Sequence, residues 1–128
     1  MTADTGRVRF AIVEDDPFMA QLVCEMLVDL DEEPLVFSGG MDLLRYTGHS
    51  MFHTTLLDLS LPDIDGFDLM DKLAAQSMGL SLVLMSGHDP SVLRAAQLYG
   101  NGLGLNVRGV LCKPFTKTEL IATLGVAA

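Results

Sequence analysis

The chain has 128 residues, of which 49% are hydrophobic, and it carries a formal net charge of -9. This length and apolar content suit one domain with its own core, and the acidic balance argues against direct binding of nucleic acid through its phosphates. The sequence contains neither an apolar run long enough to span a membrane nor the apolar core of a signal peptide, so we expect a cytoplasmic protein without direct membrane contact.

Short apolar runs alternate with amphipathic stretches along the chain, which is typical of a parallel sheet covered by helices. The predicted strands are Val8–Val13, Pro34–Phe37, Thr54–Leu59, Leu82–Met85 and Gly109–Cys112. Three of these runs are almost wholly apolar, as expected of strands that are buried on both faces. The pattern therefore predicts an α/β fold with five strands.

The first predicted helix runs from Pro17 to Leu30, because its apolar residues recur at helical spacing and form one wide stripe. The stripe consists of Phe18, Met19, Leu22, Val23, Met26, Leu27 and Leu30. Asp16 and Asp89 each precede a proline and are expected to cap the first and fourth helices.

The remaining helices are predicted from weaker signals. A short second helix is expected around Met41–Tyr46 and a third over Gly66–Ser77. The last helix, Thr116–Leu124, begins with the spacing of a capping box. Cys24 and Cys112 do not form a Cys-x-x-Cys pair, and we interpret both as small buried hydrophobic residues.

Polar residues follow four of the predicted strands. Glu14 and Asp15 follow the first strand, and Asp58, Ser86 and Lys113 stand at the ends of the third, fourth and fifth. Ligands of open doubly wound sheets bind outside the carboxyl ends of the strands, so these residues are expected on one edge.

Three carboxylates held close together repel one another unless a cation shares the site, and Mg2+ suits a small set of oxygen ligands. A hydroxyl and an ammonium group at the same edge can bond phosphoryl oxygens. A carboxylate can also act as the nucleophile that forms an aspartyl phosphate. The pattern therefore indicates a phosphate site built around a carboxylate.

The segments "AIVEDDP", "LLDLSLPDIDG", "LVLMSG" and "CKPF" occur in this order and resemble the receiver domain of two-component response regulators. The match covers nearly the whole chain. The resemblance implies a single receiver domain over residues 1–128, with a flavodoxin-like, doubly wound parallel sheet in the order 2-1-3-4-5. Five helices would complete a three-layer sandwich.

By position, the resemblance implies that Asp58 accepts a phosphoryl group from a histidine kinase or a phosphotransfer protein. Mg2+ would be held by Glu14 through water, by Asp15 and Asp58, and by the backbone carbonyl of Ser60. Ser86 and Lys113 would bond the phosphoryl group.

Further roles follow from the same resemblance. Ser60 and His88 match positions that tune water access to the acyl phosphate, although for His88 an ordinary loop residue is an equal alternative. Pro114 matches a proline that receivers often join through a cis peptide bond. The domain would be a phosphorylation-controlled signalling switch that catalyses only its own phosphorylation and dephosphorylation.

Two features depart from the usual receiver pattern. The stretch between Ser86 and Lys113 is longer than in a typical receiver, and we place the extra residues in Tyr99–Gly109, between the fourth helix and the fifth strand. Val110 stands where many receivers have an aromatic residue that rotates on activation. We therefore expect Ser86 to trigger a signal that passes through movement of the glycine-rich segment Tyr99–Gly109 and not through a ring at Val110.

The sequence leaves several alternatives open. The region around the fourth helix is similar to receivers fused to EAL-type cyclic-di-GMP phosphodiesterase domains, but a stand-alone receiver is equally compatible, and a homodimer is also left open. A degenerate receiver that only binds a partner is disfavoured because the full set of acids, hydroxyl and lysine is present. A phosphatase of the haloacid dehalogenase type is disfavoured because its second acid, two residues after the nucleophile, is replaced by Ser60.

Overall fold

The computed structural model describes residues 9–31, 33–46, 52–76, 79–87 and 89–125. Its strands are β1 (Phe10–Val13), β2 (Leu35–Phe37), β3 (Thr54–Asp58), β4 (Ser81–Ser86) and β5 (Asn106–Cys112). They form one parallel sheet in the order β2-β1-β3-β4-β5. The predicted flavodoxin-like order is thereby confirmed.

The helices are α1 (Pro17–Met26), α2 (Gly40–Arg45), α3 (Gly66–Gln76), α4 (Pro90–Gly102) and α5 (Lys117–Leu124). Three of the predicted helix starts are confirmed by their caps. Asp16 accepts a hydrogen bond from the Phe18 amide at 3.0 Å, and Asp89 accepts one from the Ser91 amide at 2.8 Å. Thr116 forms the reciprocal capping box of α5.

The sheet has a hydrophobic core on each face. Ala11 and Val13 of β1 lie in a core completed by α2, α3 and α4, whereas Phe10 and Ile12 lie in a second core with α1 and α5. This alternation follows from the two-residue period of a strand, and it gives the three-layer sandwich that was predicted. Within the described part of the chain, every helix is too short or too polar to cross a membrane.

The wide apolar stripe predicted on α1 faces the sheet only in part. Ala20 and Val23 are buried, but Phe18 is 78% exposed and Leu22 is 39% exposed. The helix also ends at Met26, four residues before the predicted end. A helix packed on one sheet buries only one strip of its surface, so a wider stripe leaves its outer members in solvent.

The glycine-rich segment Tyr99–Gly109 is not the long connection that was predicted. Helix α4 continues to Gly102 and β5 already begins at Asn106, so the expected strand start at Gly109 is wrong. Leu82 pairs with Val107 and Val83 with Gly109, which leaves an extra residue in β5 and marks a β-bulge. Most of the segment therefore belongs to α4 and β5.

The free edge of this extended strand is held by side chains from α4. The side-chain oxygen of Asn101 accepts a hydrogen bond from the Val107 amide at 2.8 Å, and the Gln97 amide donates to the Val107 carbonyl at 3.4 Å. A Cβ atom at Gly100 would lie 2.6 Å from the Val107 side chain, so glycine allows α4 to approach the strand. These contacts pack the end of α4 against the start of β5.

The cysteine prediction is wrong for one residue and only partly right for the other. Cys112 is exposed and Cys24 is half-buried. Cys112 lies at the end of the edge strand β5, where neighbouring Leu111 takes the buried position and the pleat turns Cys112 outward. The Lys113–Pro114 peptide bond is cis, as the resemblance implied.

Candidate functional site

Three carboxylates meet at the carboxyl ends of β1 and β3. Glu14 and Asp15 directly follow β1, and Asp58 is the last residue of β3. The two strands are adjacent and parallel, with Val13 opposite Leu57, so the residues that follow them lie at the same level. One carboxylate oxygen from each of the three acids lies within 4.8 Å of the others.

Lys113 brings a positive charge into this cluster from the end of β5. Its Nζ atom donates to Glu14 Oε1 at 2.6 Å and to Asp58 Oδ2 at 3.1 Å. Its backbone amide donates to the Ser86 carbonyl at 2.9 Å, which fixes the chain just after β5 against the end of β4. The lysine therefore reaches the acids from a backbone position that the sheet itself holds.

Burial changes the ionisation of the paired groups. Burial raises the pKa of Glu14, and the hydrogen bond from Lys113 offsets this only in part. Burial alone would lower the pKa of Lys113, but its bonds to Glu14 and Asp58 outweigh that effect and raise the pKa overall. The ammonium form of Lys113 is therefore firmly held.

The Asp58 side chain is oriented by the loop that follows it. The side chain is 3% exposed, and its Oδ1 atom accepts a hydrogen bond from the Ser60 amide at 2.9 Å. Because Oδ2 is bonded to Lys113 and Oδ1 to Ser60, the carboxylate is fixed in one orientation. The orientation of this carboxylate is therefore set by the fold itself.

The remaining predicted site residues differ in their burial and in their place in the fold. Ser86 is fully buried as the last residue of β4 and, with Ser60, lines a cleft of about 260 Å³ beside the site. Val110 is half-buried in β5 and packs against the core shared with α2, α3 and α4. His88 lies outside the described residues.

Asp63, in the same loop as Ser60, is a residue that the sequence reasoning missed. It lies in the loop between β3 and α3, and its carboxylate accepts hydrogen bonds from the first amides of α2, those of Gly40 and Met41. Gly39 and Gly40 open α2 without a capping side chain of their own, but this feature does not by itself point to Asp63.

A family model described as the response regulator receiver domain matches residues 10–125. The chain belongs to this family. As a receiver domain it is a signalling domain of two-component systems, a class in which an aspartate accepts a phosphoryl group and an acidic pocket binds Mg2+. Receiver domains partner with histidine kinases or phosphotransfer proteins.

Relatives and solved structures agree with this assignment. The transcriptional regulatory protein BaeR of Escherichia coli O6:H1 is 29% identical over 119 residues, which cover 93% of this chain and 47% of BaeR. A response regulator from Colwellia psychrerythraea is 28% identical with a TM-score of 0.80, covering 93% of this chain and 94% of that one. The BeF3-activated receiver domain of DrrB from Thermotoga maritima is 25% identical with a TM-score of 0.71, covering 92% of this chain and 94% of that one.

This receiver domain spans about half the length of the curated relatives that it matches. BaeR is named as a transcriptional regulator, and CtrA of Brucella ovis, which is also 29% identical, is named as a cell cycle response regulator.

The acidic cluster of this receiver domain fits Mg2+. Magnesium takes oxygen ligands at about 2.0–2.1 Å, so two ligands on opposite sides of the ion lie about 4.2 Å apart. The three carboxylate oxygens lie within 4.8 Å of one another, so side-chain movements of less than about 1 Å would let them surround one ion, directly or through a bound water molecule. Three carboxylates also outnumber the single ammonium of Lys113, which favours a further cation.

Proposed function

We propose that Asp58 is the phosphoacceptor of this receiver domain. The observation that carries the proposal is the position of its carboxylate, which lies within 4.8 Å of both other acids and 3.1 Å from Lys113 Nζ. With Mg2+ held by the acids on one side and Lys113 on the other, a phosphoryl group on this carboxylate would have positive charge on both sides, which is the main requirement for phosphoryl transfer.

In the proposed reaction an Asp58 oxygen forms a bond to phosphorus as the bond between phosphorus and a donor histidine nitrogen breaks, and that nitrogen keeps the electron pair. Mg2+ would be held by Asp15 and Asp58, by Glu14 through water and by the Ser60 carbonyl, and when bound it would neutralise charge on the transferred group. Lys113 would move from its bond with Asp58 to a phosphoryl oxygen.

Ser86 is proposed as the residue that bonds the new phosphoryl group and starts the switch. Its buried position at the end of β4, on the wall of the cleft beside Ser60, supports this role. Val110 offers no ring to rotate, and its β-branched side chain is stiff. Ser60 and His88 are proposed to tune water access to the acyl phosphate.

The partner of the domain is proposed to be a sensor histidine kinase or a histidine phosphotransfer protein, in the cytoplasm where such kinases use ATP. Residues 1–128 are proposed to form a single receiver domain that passes its signal to an output domain or a second protein. An EAL-type output and a homodimer remain predictions. We also propose that the domain catalyses only its own phosphorylation and dephosphorylation, because Ser60 stands where a haloacid dehalogenase phosphatase has its second acid.

The test is phosphorylation with a small phosphodonor such as acetyl phosphate in the presence of Mg2+. Intact-mass spectrometry should show one added phosphoryl group on the parent and none on Asp58→Asn. The control is Asp42→Asn, which removes an exposed carboxylate that pairs only with Arg45 among the described contacts. Equal modification of Asp58→Asn and the parent would refute the assignment.

Mg2+ binding is tested separately by thermal unfolding. A ligand that binds only the folded state stabilises it by RT ln(1 + [L]/Kd), about 1.4 kcal/mol at ten times Kd. Asp15→Asn should raise the metal-free melting temperature, because it relieves repulsion among the acids, and should remove the response to Mg2+. A parent whose melting temperature does not change in millimolar Mg2+ would contradict the metal site.

A further inference from the structure

Helix α2 is capped by a residue from a different part of the chain. Its N-cap residue is Gly39, which has no side chain to bond the first amides of the helix. Asp63 does this instead, with Oδ1 accepting from the Gly40 amide at 3.2 Å and Oδ2 from the Met41 amide at 2.9 Å. One carboxylate thus joins the loop after β3 to the start of α2.

The two glycines at this junction are required by the fit. A Cβ atom at Gly39 would lie 2.7 Å from Asp63 Oδ2, and one at Gly40 would lie 2.6 Å from the Ile64 side chain. Contacts this short do not occur between real Cβ atoms and their neighbours. A serine or aspartate at Gly39 would be the ordinary cap, but here that space is taken by Asp63.

The loop that Asp63 holds also carries parts of the phosphorylation site. At its start the Ser60 amide donates to Asp58, and at its end Asp65 caps α3 through the Phe67 amide at 2.8 Å. Asp63 ties the middle of the loop to a separate element. The path of the loop from Asp58 to α3 is therefore fixed at its start, middle and end.

We propose that Asp63 is a positioning residue for Mg2+ binding and phosphorylation. It acts by holding the loop between β3 and α3 so that the Ser60 amide stays on Asp58 and the Ser60 carbonyl would be available to the ion. This inference rests on the proposed function, because it assumes that Ser60 and Asp58 serve the same metal and phosphoryl group. Groups that orient metal ligands commonly contribute tenfold or more to affinity.

If Asp63 only caps α2, a new cap on that helix should restore everything that Asp63→Ala removes. A second substitution, at Gly39, separates this capping role from the proposed positioning role. In the Asp63→Ala background the space beside Gly39 is open, so Gly39→Ser can cap α2 locally. The local cap restores α2 but leaves the loop unanchored. In the parent background the same Gly39→Ser change collides with Asp63, so its effect on stability should reverse sign between the two backgrounds.

The experiment compares the parent, Asp63→Ala, Asp63→Asn, Gly39→Ser and the double variant. Thermal unfolding measures stability, and titration calorimetry with MgCl2 measures the Kd for Mg2+. Hydrogen exchange of the amides of residues 59–61 in metal-free buffer reports on the loop itself. Asp42→Ala is the matched control, since it removes an equal charge from α2 without touching the loop.

We expect Asp63→Ala to raise the Kd for Mg2+ about tenfold, to slow phosphorylation by acetyl phosphate and to speed exchange in the loop. Asp63→Asn, which keeps one acceptor oxygen, should lie between this variant and the parent. The double variant should regain the melting temperature but neither the Mg2+ affinity nor the slow exchange.

Recovery of both melting temperature and Mg2+ affinity in the double variant would overturn the inference and leave Asp63 as a helix cap. An unchanged Kd in Asp63→Ala, with the parent binding Mg2+, would also overturn it while the proposed function stands. A parent that neither binds Mg2+ nor accepts a phosphoryl group would overturn the proposed function, and this inference with it.

Discussion

Replacing Lys113 by methionine removes the positive charge that the structure places between two buried acids. The Lys113 side chain is 21% exposed, while those of Glu14 and Asp58 are 1% and 3% exposed. Methionine keeps the length of the apolar stem but leaves both carboxylates facing each other without a cation. We therefore expect Lys113→Met to destabilise the metal-free protein strongly.

The magnitude follows from burial. Removing one partner of a buried ion pair costs about 3–5 kcal/mol, and the partial exposure of Lys113 favours the lower end, about 3 kcal/mol. With an unfolding entropy of about 2.1 cal/mol/K per residue, 128 residues give about 0.27 kcal/mol/K. The melting temperature should then fall by about 11 °C.

Lys117→Met is the matched control. Lys117 also pairs with an aspartate, Asp29 at 2.9 Å, but the two side chains are 48% and 71% exposed. Exposed pairs contribute little, so this variant should change stability by less than about 1 kcal/mol.

Differential scanning calorimetry in EDTA at pH 8 measures both variants. The alkaline pH matters because burial raises the pKa of Glu14, and proton uptake by that group would relieve the repulsion at lower pH. Adding Mg2+ should recover part of the loss in Lys113→Met, since the ion supplies the missing positive charge. If Lys113→Met and Lys117→Met melt within about 2 °C of each other in EDTA, the ion pairs in the site do not hold the fold as argued.

Three further predictions concern residues away from the site. Burial, with a smaller contribution from Arg108, lowers the pKa of His53 below 6.5. The folded state therefore binds fewer protons than the unfolded chain, and the free energy of unfolding should fall as the pH drops through 6.5. His53→Gln should make the free energy of unfolding, measured in urea between pH 8 and 5, less dependent on pH. Gly100→Ala should destabilise the protein by about 1 kcal/mol, because overpacking against its neighbours exceeds the gain in helix propensity. Gly102→Ala, which has open space around it, should stabilise the protein. The two variants should therefore shift the melting temperature in opposite directions. Thr55→Val should stabilise by about 1 kcal/mol in the same assay, because the buried Thr55 hydroxyl has no hydrogen-bond partner among the described residues.

The sheet and its functional edge could be predicted because their signals are local. An apolar run followed by a polar residue marks where a buried strand ends, and parallel strands bring those ends together. Glu14, Asp15, Asp58 and Lys113 therefore needed only the strand pattern to be placed on one edge.

The errors in the fold prediction arose where packing between distant residues decides the structure. Glycines in a sequence favour a loop, so Tyr99–Gly109 was predicted to be a connection. In the structure Gly100 makes room for a side chain of β5, and a Cβ atom at Gly109 would lie 2.5 Å from Thr123 of α5. At both positions glycine allows the neighbouring element to approach closely, and this role cannot be seen until both partners are placed. The expectation that this segment carries the signal stays a prediction.

The same reasoning explains why Asp63 escaped the sequence analysis. A capping residue is normally sought within a few residues of the helix that it caps, and Asp63 lies 23 residues from Gly40. The sequence alone shows a helix start with two glycines and, elsewhere, an acid in a loop; neither feature points to the other. Only the sheet order, which places β3 beside β1 and next but one to β2, brings the loop after β3 to the start of α2. A residue whose role depends on that topology is one that a chain-order search misses, and in this receiver domain it supports the loop that would carry Ser60 to the metal.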